Sequence, residues 1–343
     1  MSSDTNSTKN IEKQLRDMYQ RILKREPDKG GLYYFVIQIK NKKLTLEDVE
    51  KDLLVSDEAK YVTGEWSHYT DTYWNDLDMV IKYKNKLATG DENIQWMDDI
   101  QQRFKDYLPF DNVLVVGCGT GWVERALDDW KIAKHLDCFD ISEKYIDEAK
   151  SLAKSRPIDY FIDDINKMKK IEDDKYDAVF NYAVLHHATN IDFAIQKLAK
   201  CLKKNGLMFN EEYVGPARNQ YSDDHLELML NAMSDLPEKY RSKKELRPPL
   251  ANFRVEPSEA IHSDLLLPTI SKYFDNVYQK SLNGGIAYQI LHNNIEKFKD
   301  YSTNSESKKW LEYLLKQDKK LSDDGLVPSL FWYGVVTPKS NLK

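Results

Sequence analysis

Apolar residues recur every three or four positions through the first part of the chain, which is the spacing of an amphipathic helix. Over residues 10–24 they include Leu15, Met18 and Ile22. Proline and glycine then interrupt the pattern, a second helix is predicted at about 32–39, and a third begins after a cap at Thr45. The pattern predicts a small N-terminal helical domain over residues 1–65.

Residues 66–110 are rich in aromatic side chains at mainly helical spacing, and we interpret them as a helical bridge. Such a segment ahead of a sheet can cover a bound cofactor or substrate. Its aromatic residues can instead pack the bridge onto the main domain, and we favour this second interpretation.

From Asp111 onward, short apolar runs alternate with helical stretches, which is typical of a doubly wound α/β sheet. The predicted strands are 112–116, 135–139, 158–162, 176–182, 206–212, 275–281 and 330–337, with helices at 121–130, 142–155, 190–203, 263–274 and 285–319. Residues 216–262 contain five prolines and break the alternation, so we predict an insertion on the substrate side after strand five. The expected main domain spans 111–343 and has a seven-stranded, Rossmann-like sheet.

Composition narrows the classes of function. The chain has 343 residues, 41% of them hydrophobic and 31% charged, with a formal net charge of −6 and both signs interspersed. A nucleic-acid-binding face is normally basic, so no nucleic-acid partner is expected. No run approaches the roughly 20 apolar residues that span a bilayer, and the polar N-terminus lacks an apolar signal segment, so we expect a cytoplasmic protein without a membrane span.

The three cysteines are Cys118, Cys138 and Cys201, and none belongs to a Cys-x-x-Cys pair. They therefore indicate neither a zinc site nor a disulfide framework, and we predict no metal site.

A glycine-rich turn follows the first predicted strand: Val116 is succeeded by Gly117-Cys118-Gly119-Thr120-Gly121 and then by a helix. Glycines allow the backbone to turn tightly and to approach a ligand closely. A dinucleotide site needs Gly-x-Gly-x-x-Gly, but position 122 is Trp. The Gly-x-Gly-x-Gly pattern suits S-adenosylmethionine, which has no phosphate to be held.

Acidic residues end the next two predicted strands. Asp140 follows the second strand and is placed to accept the ribose hydroxyls of either cofactor, or to stabilise the next helix as an N-terminal acid. After the third strand, the Asp164 carboxylate can accept from an adenine amino group while the Ile165 N–H donates to a ring nitrogen. The predicted cofactor-binding residues are Gly117, Cys118, Gly119, Gly121, Asp140, Ile141, Asp164, Ile165 and Asn181.

Taken together, these segments resemble the class I S-adenosylmethionine-dependent methyltransferases of the type 11 and type 12 kind, over roughly residues 111–343. The resemblance implies that the three glycines hold the methionine portion, Asp140 the ribose and Asp164 the adenine. The chain departs from the family pattern at Val116, where an acid is common, and in the turn before strand five.

Two further resemblances concern context. The segments Gly121–Leu127, Asp140–Glu143 and Glu212–Pro216 look like a methyltransferase subset that accompanies glycan-assembly genes. Residues 11–58 resemble a domain of unknown function found in bacterial surface proteins and glycan-related enzymes, which implies a possible protein partner for the N-terminal domain.

The candidate catalytic residues follow strands four and five. His186 and His187 come directly after strand four, where an imidazole can accept a hydroxyl proton or can simply bond the loop backbone. Alternation sends Glu211 and Glu212 to opposite faces of strand five, and we predict that Glu212 lines the site while Glu211 pairs with a surface Lys or Arg. The predicted catalytic residues are His186, Glu212 and His187.

The substrate side is expected to come from the insertion and the end of strand five. Its predicted residues are Tyr213, Arg218, Tyr221 and His262, with Arg218 a candidate contact for a substrate carboxylate or phosphate. Residues 256–259, Glu-Pro-Ser-Glu, indicate a helix-capping turn. The predicted function is S-adenosylmethionine-dependent methyl transfer to a small-molecule or glycan-type acceptor at oxygen; the alternatives are a cofactor-binding scaffold without turnover and an NAD(P)-dependent oxidoreductase.

Overall fold

The computed structural model describes residues 2–23, 25–27, 29–56, 59, 73–241, 245–250, 253 and 257–342. The chain divides into two compact units: residues 1–70 with 251–257, and residues 71–250 with 258–343. Each unit is described separately. The predicted boundary at residue 65 lies among residues outside the described part and stays a prediction.

The first unit contains the three helices that the apolar spacing predicts: α1 (Ser2–Leu23), α2 (Lys29–Lys40) and α3 (Leu46–Val55). Their apolar faces meet in a buried cluster of Leu15, Tyr19, Ile22, Leu23, Leu32, Val36, Val49, Leu53 and Ala59. Thr45 caps α3 in a reciprocal capping box, in which its hydroxyl accepts from Asp48 N at 3.1 Å and its N–H donates to the Asp48 carboxylate at 2.8 Å. The predicted helix start is therefore confirmed.

The second unit is built on a seven-stranded sheet in the order β3-β2-β1-β4-β5-β7-β6. The strands are β1 (Phe110–Val116), β2 (Ala133–Asp140), β3 (Ile158–Ile162), β4 (Tyr176–Tyr182), β5 (Leu202–Tyr213), β6 (Phe274–Ser281) and β7 (Phe331–Pro338). The first five are parallel, while β7 runs antiparallel to both β5 and β6. All seven predicted strands and the Rossmann-like, doubly wound sheet are confirmed.

Helices cover both faces of this sheet. They are α4 (Asp78–Thr89), α5 (Trp96–Arg103), α6 (Trp122–Asp129), α7 (Glu143–Ala153), α8 (Ile191–Cys201), α9 (Asp223–Ser234), α10 (Leu266–Tyr273), α11 (Ala287–Asn294) and α12 (Ser305–Asp323). Side chains of β1 alternate between two buried clusters: Val113 and Val115 pack with α4, α5 and α6, whereas Leu114 and Val116 pack with α8 and α10. A strand buried on both faces reads as one continuous apolar run, which is why β1 was visible in the sequence.

Two helical predictions need correction. The single stretch predicted at 285–319 is two helices, because Asn304 caps α12 by accepting from the backbone N–H groups of Glu306 and Ser307 at 3.1 and 3.2 Å. The predicted bridge is helical from residue 74, in α4, α5 and short 3-10 turns, but residues 66–72 lie outside the described part. Among the residues that the structure describes, no helix combines the length and apolar character needed to cross a membrane.

Candidate active site

The glycine loop between β1 and α6 has the backbone conformation that glycine alone adopts readily. Gly117, Gly119 and Gly121 have φ values of 56°, 54° and 85°. A Cβ at Gly121 would lie 2.6 Å from the Glu124 carboxylate and 2.9 Å from the Tyr160 hydroxyl. The loop therefore needs glycine at position 121 both for its backbone angle and for space.

Cys118 is part of this loop. Its N–H donates to the carbonyl of Phe139 at 2.9 Å, and its side chain is buried. Burial raises the pKa of the thiol well above its usual range, so it stays neutral. Cys118 thus fixes the loop to β2 rather than offering a charged group to a ligand.

The Asp140 carboxylate lies at the end of β2, next to the glycine loop. One oxygen accepts from the Gly119 N–H at 3.0 Å and the other from the Ser142 N–H at 2.8 Å. Burial raises its pKa above the usual value, while those two N–H groups act in the opposite direction. Ser142 itself caps α7, so the helix start does not depend on Asp140 alone. The neighbouring Ile141 side chain is exposed.

The two acids after β3 have different surroundings. Asp163 is buried and accepts from the backbone N–H groups of Asp164, Lys169 and Lys170, so it holds the loop together. Asp164 is half-buried; it accepts from Asn166 N at 2.9 Å and pairs with Lys167 at 2.8 Å. Burial acts to raise the pKa of Asp164, but Lys167 and Asn166 bring it below the usual value. Asp164 is therefore ionised at neutral pH.

Aromatic rings flank the end of β4, beside the glycine loop. Trp122 is 44% exposed and meets Tyr182 edge to face at 5.0 Å, and Trp96 stacks on Tyr182 at 6.3 Å with an interplanar angle of 12°. Trp96 belongs to the aromatic segment 66–110, for which we favour packing, and Tyr182 is not among the predicted site residues. The signal available was its position at the end of a parallel strand, where ligands of such sheets bind.

Glu212, at the end of β5, is fully engaged with donors. Oε1 accepts from His186 Nδ1 at 2.5 Å and Tyr213 N at 2.8 Å. Oε2 accepts from the Asn181 amide at 3.0 Å and from the N–H groups of Val184 and Leu185 at 3.0 and 2.8 Å. The side chain is completely buried. Glu212 therefore fixes the turn after β4 and has no oxygen left for a substrate proton.

His186 is held in place by that carboxylate. Burial alone would lower the pKa of the imidazole, but the charges of Glu212 and Glu259 and their hydrogen bonds raise it to about 10. The two carboxylates therefore favour the protonated imidazole in this ligand-free form, and the role of His186 as the general base stays a prediction. Its Nδ1 faces Glu212, so only Nε2 points elsewhere.

His187 and Glu259 complete a cluster around His186. The two imidazole centroids are 4.2 Å apart. Nε2 of His186 lies 3.6 Å from Oε2 of Glu259, and Nε2 of His187 lies 3.7 Å from the same oxygen. Nδ1 of His187 faces the Ser258 hydroxyl at 3.3 Å. Three potential ligand atoms thus converge on one point.

Glu211 is the neighbour of Glu212 on the other face of β5. It forms an ion pair with Lys84 of α4, and both side chains are 9% exposed. The prediction of an ion pair is confirmed, but the prediction of a surface partner is wrong, because α4 covers this face of the sheet.

Comparison with known proteins identifies part of the second unit. Residues 114–210 match a model described as a methyltransferase domain. This match covers less than a third of the chain. A domain of this kind implies S-adenosylmethionine as the methyl donor, and the glycine loop and the adjacent Asp140 carboxylate fit that group.

Individual relatives cover less of the molecule. A "Ubiquinone biosynthesis O-methyltransferase" of Pelagibacter ubique is 34% identical over 122 residues, which are 34% of this chain and 48% of that protein. A "Demethylmenaquinone methyltransferase" of Leptospira interrogans is 25% identical over 152 residues, 43% of this chain and 56% of that protein. The chain spans about half the length of these curated relatives. A solved S-adenosylmethionine-dependent methyltransferase from Mesorhizobium loti is 15% identical, with a TM-score of 0.42, over 70% of this chain and 97% of that chain.

The predicted substrate residues of the second unit differ in their surroundings. Tyr213 and Tyr221 are buried, with hydroxyls that donate to the Pro216 carbonyl at 3.2 Å and to the Asn219 amide oxygen at 3.2 Å. Both therefore act in packing in this ligand-free form. His262 is half-buried in the turn that precedes α10, where its carbonyl accepts from Leu265 N.

Arg218 and Asn181 also have partners within the second unit. Arg218 donates from Nη1 to the Glu259 carbonyl at 3.0 Å, and its backbone N–H donates to the Ala260 carbonyl at 2.8 Å. Asn181 is fully buried and binds Glu212 through its amide nitrogen. Arg218 thus positions the turn that carries Glu259, and Asn181 supports Glu212 from within the sheet.

Proposed function

We propose that this chain transfers the methyl group of S-adenosylmethionine to a hydroxyl oxygen of a small-molecule or glycan-type acceptor. The observation that carries the proposal is the glycine loop with Asp140 beside it. Three left-handed glycines would allow the methionine portion to approach the backbone, and the Asp140 carboxylate, which accepts from the Gly119 N–H of the loop, is proposed to bind the ribose. Asp164 and Ile165 after β3 are proposed to contact the adenine.

Oxygen is favoured as the acceptor atom by the relatives' names. One is an O-methyltransferase of ubiquinone biosynthesis, and three others are malonyl-[acyl-carrier protein] O-methyltransferases. The glycan class is supported by the resemblance of the loop and strand-end segments to glycan-associated methyltransferases. We also propose that the N-terminal helical domain binds a protein partner.

Methyl transfer is an in-line displacement at carbon, so the protein's main task is to hold the nucleophile against the methyl group. The rings of Trp122 and Tyr182 are proposed to limit the space around the reacting groups. We place the acceptor beside the Nε2 atoms of His186 and His187, and Glu212 is proposed to act through His186 as a positioning residue.

The cofactor assignment is tested by calorimetry with S-adenosylmethionine. Asp140→Asn removes the charge while keeping the side-chain volume, and we expect affinity to fall about 10- to 100-fold, because hydrogen bonds to a charged group contribute about 1.5–3 kcal/mol. The matched control is Asp147→Asn on the exposed face of α7, which should bind as the parent does. Equal affinities for all three proteins would refute the role of Asp140.

Ligand-induced stabilisation separates the competing cofactors. S-adenosylmethionine at about 100 times its dissociation constant should stabilise the protein by about 2.7 kcal/mol, and NAD should not. Stabilisation by NAD alone would support an oxidoreductase, and none by either would support a scaffold. The acceptor class is tested by mass spectrometry of extracts incubated with methyl-labelled cofactor, where a labelled O-methyl product is the expected result.

A further inference from the structure

We propose that His186, His187 and Glu259 form a binding site for one divalent transition-metal ion. Their ligand atoms all lie within 4.8 Å of one another, and the two nitrogen-to-oxygen separations are 3.6 and 3.7 Å. Three ligands at about 2.1 Å from a tetrahedral ion would be roughly 3.4 Å apart. The cluster therefore has nearly the spacing that a metal ion requires, before any ion is placed in it.

Each of the two imidazole rings faces a second residue through the nitrogen that would not bind the ion. The Glu212 carboxylate accepts from Nδ1 of His186 at 2.5 Å, and the Ser258 hydroxyl faces Nδ1 of His187 at 3.3 Å. Both rings thus present Nε2. Metal-bound histidines characteristically have their other nitrogen fixed in this way, most often by a carboxylate.

Glu259 is positioned through its backbone. Arg218 donates to the Glu259 carbonyl at 3.0 Å and, through its own N–H, to the Ala260 carbonyl at 2.8 Å. These bonds fix the turn that carries the third ligand. The Glu259 side chain is only 27% exposed, so its carboxylate is largely withdrawn from solvent toward the two imidazoles.

The ligand set indicates which ions fit. Two imidazole nitrogens and one carboxylate oxygen suit Zn²⁺ or a similar first-row ion, whereas Mg²⁺ and Ca²⁺ prefer oxygen ligands. Three protein ligands leave a coordination position open, as in catalytic rather than structural zinc sites. The absence of paired cysteines, from which the sequence predicted no metal, does not bear on a site of this composition.

A role for the ion follows if the proposed methyl transfer is correct. The acceptor hydroxyl would occupy the open position, where the ion lowers the pKa of the hydroxyl so that its proton passes to solvent water. The oxygen then attacks the methyl carbon: a carbon–oxygen bond forms, the carbon–sulfur bond breaks, and S-adenosylhomocysteine leaves with the electron pair.

The site is tested by metal binding, which does not depend on turnover or on S-adenosylmethionine. Full-length protein is stripped with a chelator and dialysed against Zn²⁺ alone, and bound metal is measured by atomic spectrometry. We expect one equivalent, with affinity at least 10-fold weaker in Glu259→Gln and more than 100-fold weaker in His187→Asn. Substitution with Co²⁺ should give the visible absorption of a four-coordinate nitrogen and oxygen site.

The matched control is His135→Asn. His135, Asp137 and Asp159 form the second cluster of possible metal ligands within the described residues, but Lys175 and the Tyr176 hydroxyl already engage Asp137 at 2.9 and 2.8 Å. Binding that is lost in His135→Asn, that persists in His187→Asn and Glu259→Gln, or that is absent from the parent would overturn the proposal. Circular dichroism of the metal-free variants separates lost binding from lost folding, and intact metal binding without methyl transfer would contradict the proposed function alone.

Discussion

Glu124 lowers the stability of the second unit at high pH, and its carboxyl group lies next to Gly121 of the glycine loop. The side chain lies in the first turn of α6 and is fully buried, and neither carboxyl oxygen has a hydrogen-bond partner among the described residues. Burial raises the pKa of Glu124 from 4.5 to about 7, although Tyr160 and Arg125 act to lower it. Between about pH 4.5 and pH 7, Glu124 is therefore protonated in the folded protein but ionised in the unfolded chain.

The sign of the effect on stability follows from this proton. Between about pH 4.5 and pH 7 the native state binds more protons than the unfolded state, so the free energy of unfolding falls as pH rises. At 1.36 kcal/mol for each pH unit, the loss reaches about 3 kcal/mol at pH 8. Glu124→Gln replaces the acid by a neutral group of the same shape. We expect the variant to match the parent near pH 4.5 and to exceed it by up to about 3 kcal/mol at pH 8.

Urea unfolding at a series of pH values, followed by tryptophan fluorescence, measures this difference. Trp96 and Trp332 are buried in the second unit and report on it. The control is Glu143→Gln, because Glu143 also lies in a first helical turn but is exposed, and its curve should run parallel to the parent's. A constant offset between Glu124→Gln and the parent across the whole range would refute the reasoning.

Two further predictions concern packing and the loop. Lys84→Ala should lower the free energy of unfolding by about 3 kcal/mol or more, because it leaves the buried Glu211 carboxylate without its partner. The control is Lys134→Ala at an exposed ion pair, which should change the free energy of unfolding by less than about 1 kcal/mol. Urea unfolding measures both variants. Gly121→Ala should abolish S-adenosylmethionine binding in calorimetry, since its Cβ would crowd the loop. The control is Gly90→Ala, because Gly90 has a similar positive φ but open space around it. This variant should leave the affinity for S-adenosylmethionine unchanged. Equal losses in either matched pair would contradict the corresponding reasoning.

The sheet could be predicted from the sequence because its signals are local. The central strands β1 and β4 each contain a short buried apolar run, as expected of parallel strands that are covered on both faces. The largest error in a strand boundary was at the start of β5, which begins at Leu202 and not at residue 206. Residues 202–206 are mostly polar and pair across an irregularity in β4, so neither alternation nor hydrophobicity marks them as a strand.

The residues proposed to bind the cofactor could be predicted for the same reason. Gly117, Gly119 and Gly121 are read from one loop, and Asp140 from the end of the adjacent strand. The cluster of His186, His187 and Glu259 could not be predicted, because its contacts join segments that are far apart in the chain. Glu259 lies in the predicted insertion and in its predicted capping turn, and nothing near it in sequence indicates that it faces His186.

The register of the sheet explains why the neighbouring carboxylates Glu211 and Glu212 at the end of β5 have different partners. Val116 of β1 lies beside Asn181 of β4, which in turn lies beside Asn210 of β5. The next pair along these strands is Tyr182 with Glu211, and Glu212 follows Glu211 in β5. Successive side chains of a strand point to opposite faces, so Glu211 turns to Lys84 while Glu212 reaches the turn after β4 and fixes His186. A one-residue shift of β5 would exchange these two carboxylates, which ties the orientation of the His186 ring to the pairing of the central strands.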